Sequence, residues 1–356
     1  MNLLDRTERF KTLDPSGMLR KVMDLPLQCR DARDRVGKNP PRLAVKGVRS
    51  ILVTGLGGSA IGGDILRALV WKKSKVSVGV NRHYLLPAWV GRDTLVVCSS
   101  YSGNTEETLS AFEIAVRQQA RILVISSGGE LTARARRRRI PVCCVPGGYP
   151  PRSAFGYSFV TLLTALETLK LIPSHGRDFE EAMVLMESLS ASLGPHVPVA
   201  RNEAKRLARF LVGHLPVVYA GQDHLETVGL RWKGQLNENA KQTALFNVLP
   251  EMNHNEVVGF TEAESLSKRM AVVLLRHPQG DHPAVKRRFD ILGSILRRRT
   301  AGAREVATRG RSTLAQMLSV LYLGDFVSVY LAYLKRVDPT PVTVIDQLKK
   351  ALAKHR

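Results

Sequence analysis

The chain has 356 residues, an ordinary apolar fraction of 44% and a formal charge of +22. That length is enough to bury two cores, so two domains are the first expectation. No apolar run approaches membrane-spanning length, and residues Met1 to Arg9 are too charged for a secretory signal, so the sequence reads as a soluble cytoplasmic protein with no membrane partner. The basic charge admits a polyanionic partner. It is scattered rather than gathered with aromatics, and its dense runs are Arg136–Arg139 and Arg297–Arg299. A solvated basic surface that attracts anionic substrates is therefore expected, and no nucleic acid. None of the four cysteines forms a C-x-x-C pair; Cys143 and Cys144 are adjacent in an apparent strand, and reduced core thiols are expected.

Residues 1 to 46 read as polar helices broken at Pro26, Pro40 and Pro41, packed on the first domain. Ser50-Ile-Leu-Val-Thr54 reads as a buried strand. A glycine-rich turn follows, Gly55-Leu-Gly-Gly-Ser-Ala-Ile-Gly-Gly63, then a helix from Asp64 to Val70. A G-x-G-x-x-G-like string alone is weak evidence for a dinucleotide. The acidic residue such a site needs is missing, because the next strand, Val76–Val80, ends in Asn81 and Arg82. A phosphate or sugar site fits better, with Gly58 and Ser59 at the close approach.

The most informative stretch is Ser99-Ser-Tyr-Ser-Gly-Asn-Thr-Glu-Glu107, between the apolar strand Thr94–Cys98 and a helix over 108–116. Unpaired N–H groups at a helix start carry partial positive charge. Ser100, Ser102 and Thr105 add hydroxyls, and Gly103 permits close approach. One such hydroxyl is ordinarily a helix cap. Three within six residues, after a buried strand, point to a phosphate seat. A third strand–turn–helix unit follows from Arg121 to Arg139. The recurrence predicts an α/β fold with a doubly wound parallel sheet, its loops gathered at the carboxyl ends of the strands.

Gly147-Gly-Tyr-Pro-Pro-Arg152 is a rigid turn presenting Arg152, followed by an apolar helix over 153–171. Residues 172–200 are rich in Pro and Gly around a helix at 178–193 and read as the interdomain connection. In the second half a helix over 202–212, a strand at 217–220, a helix at 225–232 and a strand at 271–275 suggest a second copy of the same sheet with a worn phosphate loop. Helices are expected from about 284 onward, the last over 342–354.

Glu238, a carboxylate among amides at the end of an apolar helical run, is a candidate general base. His254 lies in an amide-flanked stretch before an apolar segment. His277-Pro-Gln-Gly-Asp-His282 lacks helical spacing of its two histidines and is not read as a metal site.

With these segments in view, the chain resembles the bifunctional phosphoglucose/phosphomannose isomerases, which have two domains of the sugar-isomerase (SIS) fold. The resemblance rests on Gly55–Asp64, Ser100–Thr108, Val145–Arg152, Arg231-Trp-Lys-Gly-Gln-Leu-Asn-Glu-Asn-Ala-Lys241, Pro250-Glu-Met-Asn-His-Asn-Glu256, Gly324-Asp-Phe-Val-Ser-Val-Tyr-Leu331 and Asp338-Pro-Thr-Pro341, seven motifs in order. It implies two doubly wound parallel-sheet domains with flanking helices: residues 1–175 with the phosphate loops, a connection over 176–200, and 201–356. It implies hexose 6-phosphate substrates, a cis-enediol(ate) intermediate, no metal and no nicotinamide cofactor. Gly58, Ser59, Ser100, Ser102 and Thr105 resemble the phosphate ligands. Glu238 resembles the base, Arg152 the cation that stabilises the enediolate, and His254 a ring-opening acid/base supplied across a homodimer interface. A lysine of the C-terminal helix assists; Lys349 is the choice, with Lys350 adjacent. Use of mannose 6-phosphate is tied to a threonine, for which Thr340 and Thr343 both stand. A phosphosugar-sensing module would keep the serine loop without needing Glu238, His254 and Arg152 together. The isomerase half of a glucosamine-6-phosphate synthase would be expected beside a glutamine-hydrolysing domain with an N-terminal cysteine, and this sequence contains none.

Overall fold

The computed structural model describes residues 3–262 and 264–353. Short helices α1 (Phe10–Leu13) and α2 (Met18–Met23) lead into α3 (Leu25–Lys38). Pro26 does not break this segment: it sits in the first turn of α3, where a missing N–H costs nothing.

The first sheet follows as β1 (Ser50–Thr54), α4 (Gly57–Val70), β2 (Ser77–Asn81), β3 (Thr94–Ser99), α5 (Glu106–Arg117), β4 (Arg121–Ser126), α6 (Gly129–Arg137) and β5 (Val142–Cys144). Its strands are all parallel in the order β2-β1-β3-β4-β5. All of β3 is buried and nearly all of β1 and β4, as expected of a sheet covered on both faces. The helix after β1 starts at Gly57, not at Asp64 as the sequence suggested, so the glycines form its first two turns rather than a loop. Helix propensity disfavours glycine, and packing overrides it here: Ile61, Ile65 and Leu66 enter the core.

Helices α7 (Phe155–Thr168), α8 (Gly176–Leu193) and α9 (Glu203–Leu211) lead to the second sheet. This consists of β6 (Leu215–Gly221), α10 (Leu225–Glu238), β7 (Leu245–Leu249), short helices α11 (Gly259–Glu262) and α12 (Glu264–Ser267), β8 (Met270–Arg276), α13 (Pro283–Arg299) and β9 (Gly302–Ala307). The order is β7-β6-β8-β9, again all parallel. The sequence reading missed β7 and β9. Both are edge strands with exposed positions, and in β9, Gly302-Ala-Arg-Glu-Val-Ala307, only Ala303 and Val306 are buried.

Helix α14 (Thr313–Leu334) runs through the middle, and α15 (Thr343–Ala353) projects from it beyond a short loop. By length and composition α14 could cross a membrane, contrary to the sequence expectation, but 94% of its apolar window is buried inside the protein. A helix apolar on every side needs cover on every side. α14 finds it against α2, α8, α9 and α10. The N-terminal segment therefore serves both halves: α3 packs on α7, while the Tyr322 hydroxyl donates to the Met23 carbonyl and that of Tyr333 to Asp14 Oδ2. One apolar cluster runs from α2 and α3 through one face of each sheet to α14, and a smaller cluster lies on the far face of each sheet.

All four cysteines are free thiols. Cys143 is buried but Cys144, its neighbour on the opposite face of an edge strand, is exposed, so not all are core thiols. The arginine run 136–139 is partly paired: Arg137 and Arg138 reach Glu130 and Glu113.

Candidate active site

Sheet order reverses between β1 and β3, and in such sheets the crevice lies beyond the carboxyl ends of the strands at that point. The loops after β1 and β3 meet there. Ser59 Oγ accepts from the Tyr101 N–H at 3.2 Å, tying the first loop to the second. The Ser100 hydroxyl donates to Thr105 Oγ1 at 2.9 Å and accepts from the Gly103 N–H at 3.2 Å. Gly103 has φ +70°, and a Cβ there would lie 1.9 Å from the Gly128 carbonyl, so the turn requires glycine. Ser102 is exposed at the tip. Neither α4 nor α5 has a side-chain cap, whereas Asn202, His282 and Ser312 cap α9, α13 and α14. The Ser59 N–H donates to the Leu56 carbonyl at 3.1 Å, which leaves the N–H groups of Gly57 and Gly58 at the start of α4 for an anion in the crevice.

Arg152 stands in the 3-10 turn Pro151–Ser153, against the first loop. A Cβ on Gly58 would lie 2.7 Å from the Pro151 carbonyl, so this approach too needs glycine. Arg152 is 4% exposed, and its guanidinium is held at every edge. Nε donates to Asn239 Oδ1 at 2.6 Å, Nη1 to Glu238 Oε2 at 3.4 Å, and Nη2 to the carbonyls of Pro339 and Thr340, both at 2.7 Å. Burial pulls its pKa down, opposed by Glu238 and Asp338, yet an arginine stays charged. Glu238 is the last residue of α10, about one-third exposed, and presents its carboxylate to Arg152. Both line a cavity of about 210 Å³ together with Gly57, Gly58, Arg82, Arg231 and Gln235.

A buried network holds this wall. Asp325 of α14 accepts from Arg231 Nε and Nη2 at 3.1 and 2.7 Å and from Gln235 Nε2 at 2.9 Å. Arg231 Nη2 also donates to the Arg152 carbonyl at 3.0 Å, and Asn239 Nδ2 to Ser328 Oγ at 2.9 Å. Lys241 Nζ donates to the carbonyls of Glu238, Asn239 and Pro339. Burial, then the charge of Arg152, pulls its pKa down to about 8. Asp325, Ser328, Asn239 and Lys241 carried no role in the sequence reading. The signal was present: Asp325 is the one charge in a 22-residue apolar helix, and a buried carboxylate needs a partner.

The remaining candidates lie apart. His254 ends the 3-10 turn after β7, exposed and outside the cavity lining. Lys349 and Lys350 are exposed on α15. Thr343 is exposed at the start of α15, whereas the Thr340 carbonyl is bonded to Arg152 and its hydroxyl is buried without a partner. His277 packs on His224, ring centroids 5.0 Å apart, and His282 caps α13.

The profile of the bacterial phospho-glucose isomerase C-terminal SIS domain matches residues 200–352. The bifunctional phosphoglucose/phosphomannose isomerase of Caldicellulosiruptor bescii is 42% identical over 94% of this chain and 99% of its own length. The chain belongs to the bifunctional phosphoglucose/phosphomannose isomerase family. The Aquifex aeolicus member is 37% identical over 86% of this chain and 91% of its own. A hypothetical protein from Thermus thermophilus shares the fold with TM-score 0.75 at 17% identity, over 99% of this chain and 94% of that one. Membership of this isomerase family agrees with the two parallel sheets.

Proposed function

We propose that the chain interconverts glucose 6-phosphate and mannose 6-phosphate with fructose 6-phosphate. The observation that carries the reading is the Arg152–Glu238 contact on the wall of a cavity that the glycines opening α4 also line. The phosphate binds the N–H group of Gly58 and the hydroxyls of Ser59, Ser100, Ser102 and Thr105. Glu238 takes the proton from C2 of the opened aldose and returns it to C1, and Arg152 offsets the charge on the enediolate oxygen. Because four acceptors fix the guanidinium, it needs no reorganisation when that charge develops.

The further roles follow the family. His254 opens the sugar ring from the partner protomer of a homodimer, which fits its exposure outside this chain's own cavity. Lys349 assists from α15, whose Val344, Leu348 and Leu352 are exposed and left for a second copy to cover. Thr340 rather than Thr343 governs use of mannose 6-phosphate, since its backbone is bonded to Arg152. The test is a coupled assay on purified protein with fructose 6-phosphate, scoring both aldose products. Formation of both is expected. Binding of fructose 6-phosphate with no turnover in a verified dimer would instead make this a sensing module.

A further inference from the structure

Three arginines line the cavity, and two are committed to the protein itself. Arg152 makes four hydrogen bonds, and Arg231 is buried, bonded to Asp325 and to the Arg152 carbonyl. Arg82 is different. Its side chain is 40% exposed, and among the described residues its hydrogen-bond partner is Asp64, which leaves most of its five N–H groups available.

The surroundings of Arg82 are built to hold it. Asp64 lies on α4, two turns from the glycines that open that helix, and its side chain is 7% exposed. A carboxylate so buried is costly unless paired, and Arg82 is its pair. The backbone on the other side is fixed by Asn81, the last residue of β2. Its Nδ2 donates to the carbonyls of His83 and Leu85 at 3.0 and 3.2 Å, which folds the turn over the end of the sheet. The phosphate seat has a matching need. A phosphate monoester carries −1.5 to −2 charges at neutral pH. The loop Ser100–Thr105 offers only neutral donors. Arg82 shares the cavity wall with Gly57 and Gly58 at the start of α4, while the Arg152 guanidinium turns away toward Glu238 and the 339–340 carbonyls.

We infer that Arg82 is a substrate-binding residue that grips the phosphate end of the phosphosugar, and that Asp64 is the positioning residue that holds it there. This rests on the isomerase reading above, so the wild-type assay comes first; an inert wild type removes that reading, independent of Arg82. With an active wild type, Arg82→Gln should raise KM for fructose 6-phosphate by about 10- to 100-fold, with the loss falling on KM rather than kcat. Inhibition by inorganic phosphate should weaken by the same factor. Arg82→Lys should recover part of the loss, since it keeps the charge without the planar fork. Asp64→Asn should raise KM in the same direction by less. Arg82→Gln also leaves the buried Asp64 without its cation, so its thermal midpoint should fall, and KM is compared at a temperature where both proteins are folded. An unchanged KM overturns the inference. So does a raised KM with unchanged inhibition by inorganic phosphate, which would move the contact to the sugar.

Discussion

The two sheets share a topology, yet their switch points differ in chemistry. Beyond β1 and β3 lie glycines and hydroxyls, with two helix N-termini uncapped by side chains. Beyond β6 and β8 the equivalent loops carry Gln222, Asp223, His224 and the stretch His277 to His282. Asp281 is buried there, accepts from the His277 N–H at 3.0 Å, and sits where a Cβ on Gly221 would be 2.9 Å from its carboxylate. Burial raises the Asp281 pKa and lowers those of His224 and His277, so this crevice favours neutral groups over a bound anion. The second half instead contributes the far end of its first helix, where Glu238, Asn239 and Lys241 meet Arg152. A helix N-terminus attracts an anion, and a C-terminus, being negative, keeps cations close. Repeating the fold has not repeated the site: each half supplies the opposite pole of a helix.

The sharpest test of that division is at the C-terminal pole. Glu238→Gln keeps shape and hydrogen bonding but removes the proposed base. Turnover should fall ~10²–10⁴-fold with sugar-phosphate binding nearly intact, and solvent deuterium should no longer enter C1 or C2. Near-normal turnover and exchange in this variant would shift proton transfer elsewhere. The pole is held in place by Asp325, so Asp325→Ala should be about as severe for stability. It leaves Arg231 buried without its carboxylate, a loss of about 3–5 kcal/mol by urea unfolding. A loss below about 1 kcal/mol would mean the network does not fix this wall.

At the other pole, Ser102→Ala should weaken binding of a phosphorylated sugar acid by about 1–3 kcal/mol, the cost of leaving a charged acceptor short of a donor. Gln222→Ala, at the corresponding crevice of the second sheet, should leave that binding constant unchanged. Equal losses in the two variants would erase the contrast between the crevices.

The central parts of this arrangement were legible in the sequence because they follow local rules. Buried strands such as Thr94–Cys98 show as β-branched runs, and Gly103 with its flanking hydroxyls marks the turn. Edge strands β7 and β9 were not legible, because a half-exposed strand lacks the apolar run that identifies a buried one. The glycine start of α4 was hidden because propensity opposes it. The hydrogen bonds of the Arg152 guanidinium join residues 86 to 188 positions apart, and no local pattern encodes such contacts. The Asp64–Arg82 pair is similar: each residue reads as an ordinary surface charge until α4 and β2 are packed side by side.

Lys241 gives the smallest effect, and it tests whether the cations gathered at the C-terminal pole repel one another. Arg152, Glu238 and Asp338 face its ammonium, and Lys335 Nζ donates to its carbonyl at 2.9 Å. Its folded pKa, about 8, lies below the ordinary lysine value of about 10.4. Between these values the unfolded chain holds more protons than the folded one, so this group's contribution to stability rises with pH across that window. Below about pH 8 the penalty of keeping the charge beside Arg152 is fully present. Lys241→Met has no such titration. The difference in unfolding free energy, wild type minus variant, should therefore grow between about pH 7.5 and pH 9.5. Because much of Lys241 is open to solvent although its ammonium is partly enclosed, solvent screening holds the change to about 0.5 kcal/mol or less. Parallel urea titrations of the two proteins at both pH values measure it. A difference that falls with pH would mean that the carboxylates of Glu238 and Asp338, not Arg152 and burial, dominate the field at this end of α10.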